Sequence, residues 1–221
     1  NATSTGLVEA RTHDWDREIL KKLKFPEHLF YPLSMPGMQV GKLTQEVERE
    51  VGFSCVVVLP ATHDTASAFL AVPKKEDAVS ISSGTWSLLG VENAEPITTE
   101  KSRLLNFTNE GGYEFRFRYL RNIMGLWMIQ SIRRELNGIS YVEGKSARAG
   151  SGRKWSYAQL EQAAQEESNF PSLIDVNEDR FFAPESMVQA VKEACRDSEQ
   201  TVPENIGQVM QCVYRSLAAC Y

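Results

Sequence analysis

Three short groups in this 221-residue sequence hold side chains suited to chemistry. The first is Thr62-His63-Asp64-Thr65, a carboxylate set between an imidazole and a hydroxyl. Such a carboxylate can take the proton of a substrate hydroxyl as general base while its neighbours grip adjacent groups. Asp64 can equally cap the helix that starts after it. The second is Ser82-Ser83-Gly84-Thr85. Glycine in a tight turn lets backbone N–H groups and a hydroxyl come close to a phosphate, and the same residues also make an ordinary hairpin tip. The third is Asn122, which reads as the N-cap of a helix carrying Gln130 two turns on. Taken alone, Gln130 reads as solvent-facing and Trp127 as core. No GxxxxGK[ST] pattern occurs, so a nucleotide site here is not a P-loop.

The elements that must position these groups follow from pattern. Cys55 to Leu59 is a continuous β-branched run ended by Pro60, which predicts a strand covered on both faces. A small-residue helix, Ala66 to Ala71, follows the polar group. Polar residues between a buried strand and a helix are where α/β folds place ligands. Pro73 to Asp77 is a charged, apolar-poor linker candidate. Ala78–Ser82 and Trp86–Val91 read as a hairpin around Ser83-Gly84-Thr85. The turn Asn109-Glu110-Gly111-Gly112 precedes Glu114–Leu120, which alternates with period two. A helix is expected from about Ile123 to Leu136, closed by Asn137-Gly138. Residues 144–153 read as a loop. Two short helices are expected upstream, Asp14–Leu23 and Leu43–Val51, the latter opened by Thr44 and stopped by Gly52. Three more follow downstream: Tyr157–Glu167 with Ser156 as cap, Pro184–Arg196 and Val202–Tyr221. The class is α/β with a helical second half.

The composition is that of a globular chain: 42% hydrophobic, 24% charged, net charge −5. That is apolar enough for a core, and its balance argues against nucleic acid or an anionic membrane as a bulk-charge partner. The four cysteines show no CxxC or CxxH spacing, so no zinc site is expected, and reduced thiols in the cytoplasm are. No apolar run reaches the ~18 residues of a membrane span. The chain begins without Met and ends in an apolar helical pattern without a cap, which suggests a piece of something longer.

Taken in order, these segments resemble the FGGY carbohydrate kinases. The matching stretches are Ala61-Thr62-His63-Asp64-Thr65-Ala66-Ser67-Ala68, Ser82-Ser83-Gly84-Thr85-Trp86-Ser87-Leu88, Thr108-Asn109-Glu110-Gly111-Gly112 and Arg121-Asn122-Ile123-Met124-Gly125-Leu126-Trp127. The resemblance implies an actin-like ATPase (ribonuclease H-like) two-domain fold, incomplete at both ends. Residues 1–72 would be the C-terminal part of a sugar-binding domain, and 77–221 the N-terminal part of a nucleotide-binding domain. It implies ATP-dependent, Mg²⁺-assisted phosphorylation of a ketose in the cleft between domains. L-rhamnulose leads as substrate, with fuculose, ribulose or xylulose as alternatives, and a non-catalytic ligand-binding module as the other class. Asp64 would be the base, with His63, Thr65 and Asn122 on the ketose. Gly84 and Thr85 would approach the ATP phosphates, and Gln130 would lie on the nucleotide side.

Overall fold

Local signals set most of the element boundaries. The computed structural model describes residues 1–73, 78–142, 145–148 and 154–221. In chain order the elements are β1 (Val8–Glu9), β2 (Asp14–Trp15), α1 (Arg17–Lys22), β3 (Gln39–Lys42), α2 (Gln45–Val51), β4 (Val56–Val58) and α3 (Asp64–Ala71). Then come β5 (Ser80–Ser83), β6 (Ser87–Asn93), α4 (Glu100–Leu104), β7 (Phe107–Gly111), β8 (Phe117–Ile123) and α5 (Trp127–Leu136). Last are β9 (Ile139–Val142), β10 (Lys145–Arg148), α6 (Tyr157–Glu166), α7 (Met187–Asp197) and α8 (Ile206–Cys220). The largest sheet has four strands in the order β5-β6-β8-β7, with β7 and β8 antiparallel and Glu110 opposite Arg118. Contacts divide the chain into two units, Asn1–Ser82 with Leu89–Arg121, and Ser83–Leu88 with Asn122–Tyr221.

In the first unit the caps do what their residue types allow. Thr44 Oγ1 accepts from the Val47 N–H, and Gly52 ends α2 at φ +80°. The expected helix from Asp14 starts later, because Asp16 is the residue whose carboxylate accepts the Ile19 N–H, while Asp14 and Trp15 pair with β1. Leu20, Phe69, Phe117 and Leu120 are among its buried apolar positions.

The expected strand Cys55–Leu59 is present as Val56–Val58, but it is not covered on both faces. It pairs antiparallel with β3 in a two-stranded ribbon, and all three valines are exposed. A ribbon without a layer packed on it among the described residues leaves a β-branched run open to solvent. The segment 109–112 differs too: Asn109 to Gly111 are the end of β7 rather than a turn. The turn lies at Tyr113–Phe115, where Glu114 and Phe115 take positive φ, and the following strand begins at Phe117 rather than Glu114.

The second unit is a helical layer. Met128, Ile129 and Ile132 of α5, Leu160 and Ala164 of α6, Val191 and Ala194 of α7, and Val209, Met210 and Val213 of α8 are buried. Ser156 and Gln159 form a reciprocal capping box on α6, Ser186 caps α7 and Asn205 caps α8. The expected helix from Ile123 starts at Trp127, since Ile123 still belongs to β8 and Gly125 sits at φ +44°. Within the expected loop 144–153, Lys145–Arg148 is a strand paired with β9. Residues 144 and 149–153 of that loop, and 74–77 of the expected linker, lie outside the described residues.

Candidate functional site

His63, Asp64 and Thr65 stand where β4, Pro60 and the N-terminus of α3 would put them. His63 is the N-cap of α3 and makes no side-chain cap; Asp64 is the first helical residue. Asp64 is therefore not the cap that its position also allowed. Its Oδ1 accepts the backbone N–H of Thr65 at 2.7 Å and faces Thr65 Oγ1 at 3.4 Å. The Asp64 side chain is 98% exposed, in the first turn of α3. It is a solvent-facing acceptor held at a helix start.

Behind it lies a polar network that residue types alone do not reveal. His63 Nε2 is 3.9 Å from Asp64 Oδ1, and its Nδ1 is 3.8 Å from Glu110 Oε2. Glu110 Oε2 also accepts from Arg118 Nη2 at 3.0 Å, across the β7–β8 pair. The two charged side chains are only 14% and 7% exposed. These four residues of the first unit form one chain of contacts, Arg118 to Glu110 to His63 to Asp64. A cavity of about 300 Å³ in that unit is lined by His63, Thr62, Asn109, Gly111 and Arg118 among others. Asp64 and Thr65 are not in its lining. Sequence reasoning missed Glu110 and Arg118. The signal was the Asn109-Glu110-Gly111-Gly112 string beside an alternating arginine-rich strand, but it takes the strand register to join them.

In the second unit, residues 84–86 form the tip between β5 and β6. The Gly84 and Thr85 carbonyls are turned toward α5: Gly84 O accepts the Leu126 N–H at 3.0 Å and Thr85 O the Trp127 N–H at 2.9 Å. Gly125 makes this docking possible, for a Cβ there would lie 2.6 Å from Ser87 N and 2.8 Å from both carbonyl oxygens. The Gly84 N–H is engaged within the tip as well, donating to Trp86 O at 3.2 Å. Asn122 is exposed on β8, not an N-cap, because the helix begins five residues later. Gln130 is half-buried on α5, in the turn after Leu126. Trp127 is only half-buried: its Nε1 donates to Phe181 O at 3.0 Å, and the Arg134 guanidinium lies over its ring. Gly84, Thr85, Asn122 and Gln130 thus share the second unit, and His63, Asp64 and Thr65 the first.

Residues 79–221 match the model of the C-terminal domain of the FGGY family of carbohydrate kinases. Over all 221 residues the chain is 45% identical to the rhamnulokinase of Halalkalibacterium halodurans and 43% identical to that of Oceanobacillus iheyensis. It covers 44% of each of those two proteins, so it spans less than half of their length. Among solved structures, a gluconate kinase from Lactobacillus acidophilus superposes with a TM-score of 0.64 at 12% identity, over 96% of this chain and 40% of that one. A ligand-bound xylulose kinase from the same organism gives 0.62 at 13%, with the same coverage. At such identities the likeness speaks for the fold, the actin-like α/β fold of sugar kinases, taken here over part of its length.

Proposed function

This chain belongs to the FGGY family of carbohydrate kinases, and on that premise we propose that it serves the ATP-dependent phosphorylation of L-rhamnulose at its terminal hydroxyl. The observation that carries the chemistry is Asp64: an exposed carboxylate at a helix start, with one oxygen held by the Thr65 N–H. The choice of ketose rests on the two rhamnulokinases at 43–45% identity.

In this reading Asp64 takes the proton of the ketose hydroxyl as its oxygen attacks the γ-phosphorus of ATP, and ADP leaves with the β-bridging oxygen. His63, Thr65 and Asn122 bind the sugar hydroxyls and fix the attacking oxygen. Gly84 and Thr85 hold the phosphates, and Gln130 lies toward the nucleotide. Phosphoryl transfer asks the protein mainly for positioning and charge stabilisation. Mg²⁺, brought with ATP, neutralises phosphate charge. Among the described residues no three His, Cys, Asp or Glu side chains gather to hold a metal. Residues 1–72 are read as the end of the sugar-binding domain and 77–221 as the start of the nucleotide-binding domain. The family match beginning at residue 79 supports that division. Free thiols at Cys55, Cys195 and Cys212 are compatible with the cytoplasm, and among the described residues no helix is long and apolar enough to cross a membrane.

The test is ADP release by the full-length protein with L-rhamnulose, L-fuculose, ribulose and xylulose. Rhamnulose is expected to give the highest kcat/KM. Asp64→Asn is expected to lower it about 10²- to 10⁴-fold, the usual worth of a general base. Another preferred ketose would change the substrate and keep the class. Turnover that survives Asp64→Asn removes Asp64 as base. Ligand binding without turnover of any ketose would make the protein a binding module.

A further inference from the structure

We propose that Glu110 is a positioning residue for His63, holding its proton on Nδ1 so that Nε2 meets the ketose as a hydrogen-bond acceptor. This rests on the assignment of His63 to the sugar. It concerns an Asn109-Glu110-Gly111-Gly112 string that the kinase reading otherwise leaves without a task.

The geometry is built by strand register. Glu110 of β7 and Arg118 of β8 are direct cross-strand partners, and Arg118 Nη2 donates to Glu110 Oε2 at 3.0 Å. The glycine at 112 leaves room for this, since a Cβ there would come within 3.1 Å of Arg118 Nη1. A largely buried carboxylate is stable where a cation and hydrogen bonds compensate it, and Arg118 supplies both. The same Oε2 lies 3.8 Å from His63 Nδ1, an atom that is buried and without a hydrogen-bond partner among the described residues. An ionised carboxylate only accepts. The buried nitrogen is therefore satisfied in one way: as N–H, pointing at Glu110. A shift of about 0.8 Å brings the pair into hydrogen-bond range, the kind of tightening that accompanies substrate binding.

Among the described residues, Glu110 and Asp64 approach this imidazole, and Arg118 pairs with Glu110. Glu110 attracts a proton to Nδ1, Arg118 offsets most of the Glu110 charge, and Asp64 approaches Nε2 at 3.9 Å but is 98% exposed and screened by water. In the neutral ring the buried acceptor fixes which nitrogen carries the proton. Nε2 is then a lone pair on the Asp64 side. It would accept from a sugar hydroxyl next to the one that Asp64 deprotonates, and so would not compete with Asp64 for that proton.

The experiment labels the full-length protein with ¹⁵N-histidine and reads ring tautomers by long-range ¹H–¹⁵N correlation, with His63→Gln assigning the signal. Wild type is expected to carry the His63 proton on Nδ1. Glu110→Ala is expected to move it to Nε2 and to raise the ketose KM about tenfold, with the ATP KM changed less than about twofold. Glu110→Gln keeps a carbonyl acceptor and should retain the Nδ1–H tautomer. Because Glu110→Ala strands a buried guanidinium, Glu110→Ala/Arg118→Met removes both charges and should show the same tautomer change in a folded protein. A wild-type Nε2–H tautomer, or Nδ1–H persisting in that double variant, overturns the proposal. So does an ATP KM that rises as much as the ketose KM, which would mark a structural role. A wild type that phosphorylates no ketose would remove the kinase reading and leave the tautomer result standing.

Discussion

Replacing Gly125 by alanine tests whether the docked tip at residues 84–86 depends on that one position. The new Cβ would meet three backbone atoms, Ser87 N at 2.6 Å and the Gly84 and Thr85 oxygens at 2.8 Å. Backbone cannot swing aside as a long side chain can, so the tip must move away from α5. That breaks two hydrogen bonds, Leu126 N–H to Gly84 O and Trp127 N–H to Thr85 O. The left-handed backbone at φ +44° adds strain for any L side chain. The cost comes to about 1 kcal/mol for the backbone and about 1 kcal/mol for each lost bond, about 3 kcal/mol in all. Gly52 is the control: it has φ +80° and nothing within 4 Å of where a methyl would stand, so Gly52→Ala carries the backbone cost alone, about 1 kcal/mol. Hydrogen exchange on the full-length protein reads the difference locally. The Leu126 and Trp127 amides should exchange about a hundredfold faster in Gly125→Ala and at the wild-type rate in Gly52→Ala. If Thr85 serves ATP, the KM for ATP should also rise in Gly125→Ala while that for the ketose holds. Unchanged exchange at Leu126 and Trp127, or equal destabilisation by the two variants, would refute the docking argument.

Two further outcomes follow from the second unit. Burial pushes the Cys212 thiol up to about 12 and moves Cys195 the same way from an ordinary 9.0. The folded state therefore keeps protons that the unfolded chain loses above pH 9. The Cys212 contribution to stability should be flat below pH 9 and fall between pH 9 and 12, by up to about 1.4 kcal/mol per pH unit, so stability from urea unfolding should fall less steeply over that range in Cys212→Ala. Glu135 accepts from Ser186 Oγ at 2.6 Å and from the Val188 N–H at 3.3 Å, completing the N-terminal cap of α7. Glu135→Ala should cost about 1–2 kcal/mol in urea unfolding, and a double-mutant cycle with Ser186→Ala should show coupling above about 0.5 kcal/mol.

What could be read from the sequence was whatever a residue does to its near neighbours along the chain. Thr44 and Gly52 bound α2, and Ser156 with Gln159 opens α6, because a cap joins atoms three or four residues apart. The hairpin around Gly84 was legible for the same reason. Asn122 was misplaced because its amide suits a cap, while the helix start was set by the positive φ of Gly125, three residues later. The valines 56–58 were misjudged because a β-branched run says that a strand forms and not what lies on its faces.

The candidate site divides along the same line. Asp64 was singled out as a candidate because a polar residue between a strand and a helix is a local pattern, and Thr85 because a glycine turn is one. Glu110 stood out only as part of a string, for its significance depends on which residue of β8 stands opposite and on a histidine 47 positions earlier in the sequence. Groups that touch a substrate tend to lie at element ends, where composition betrays them. Groups that position them tend to lie inside the sheet, where an isolated charge would be costly and register must bring its partner. A buried Glu–Arg pair beside an unpartnered imidazole nitrogen is thus better explained by a task than by stability, since two well-packed apolar residues would hold β7 to β8 as firmly. By that argument the Glu110→Ala/Arg118→Met variant, which keeps the strands paired, should lose hold of the sugar before it loses the fold.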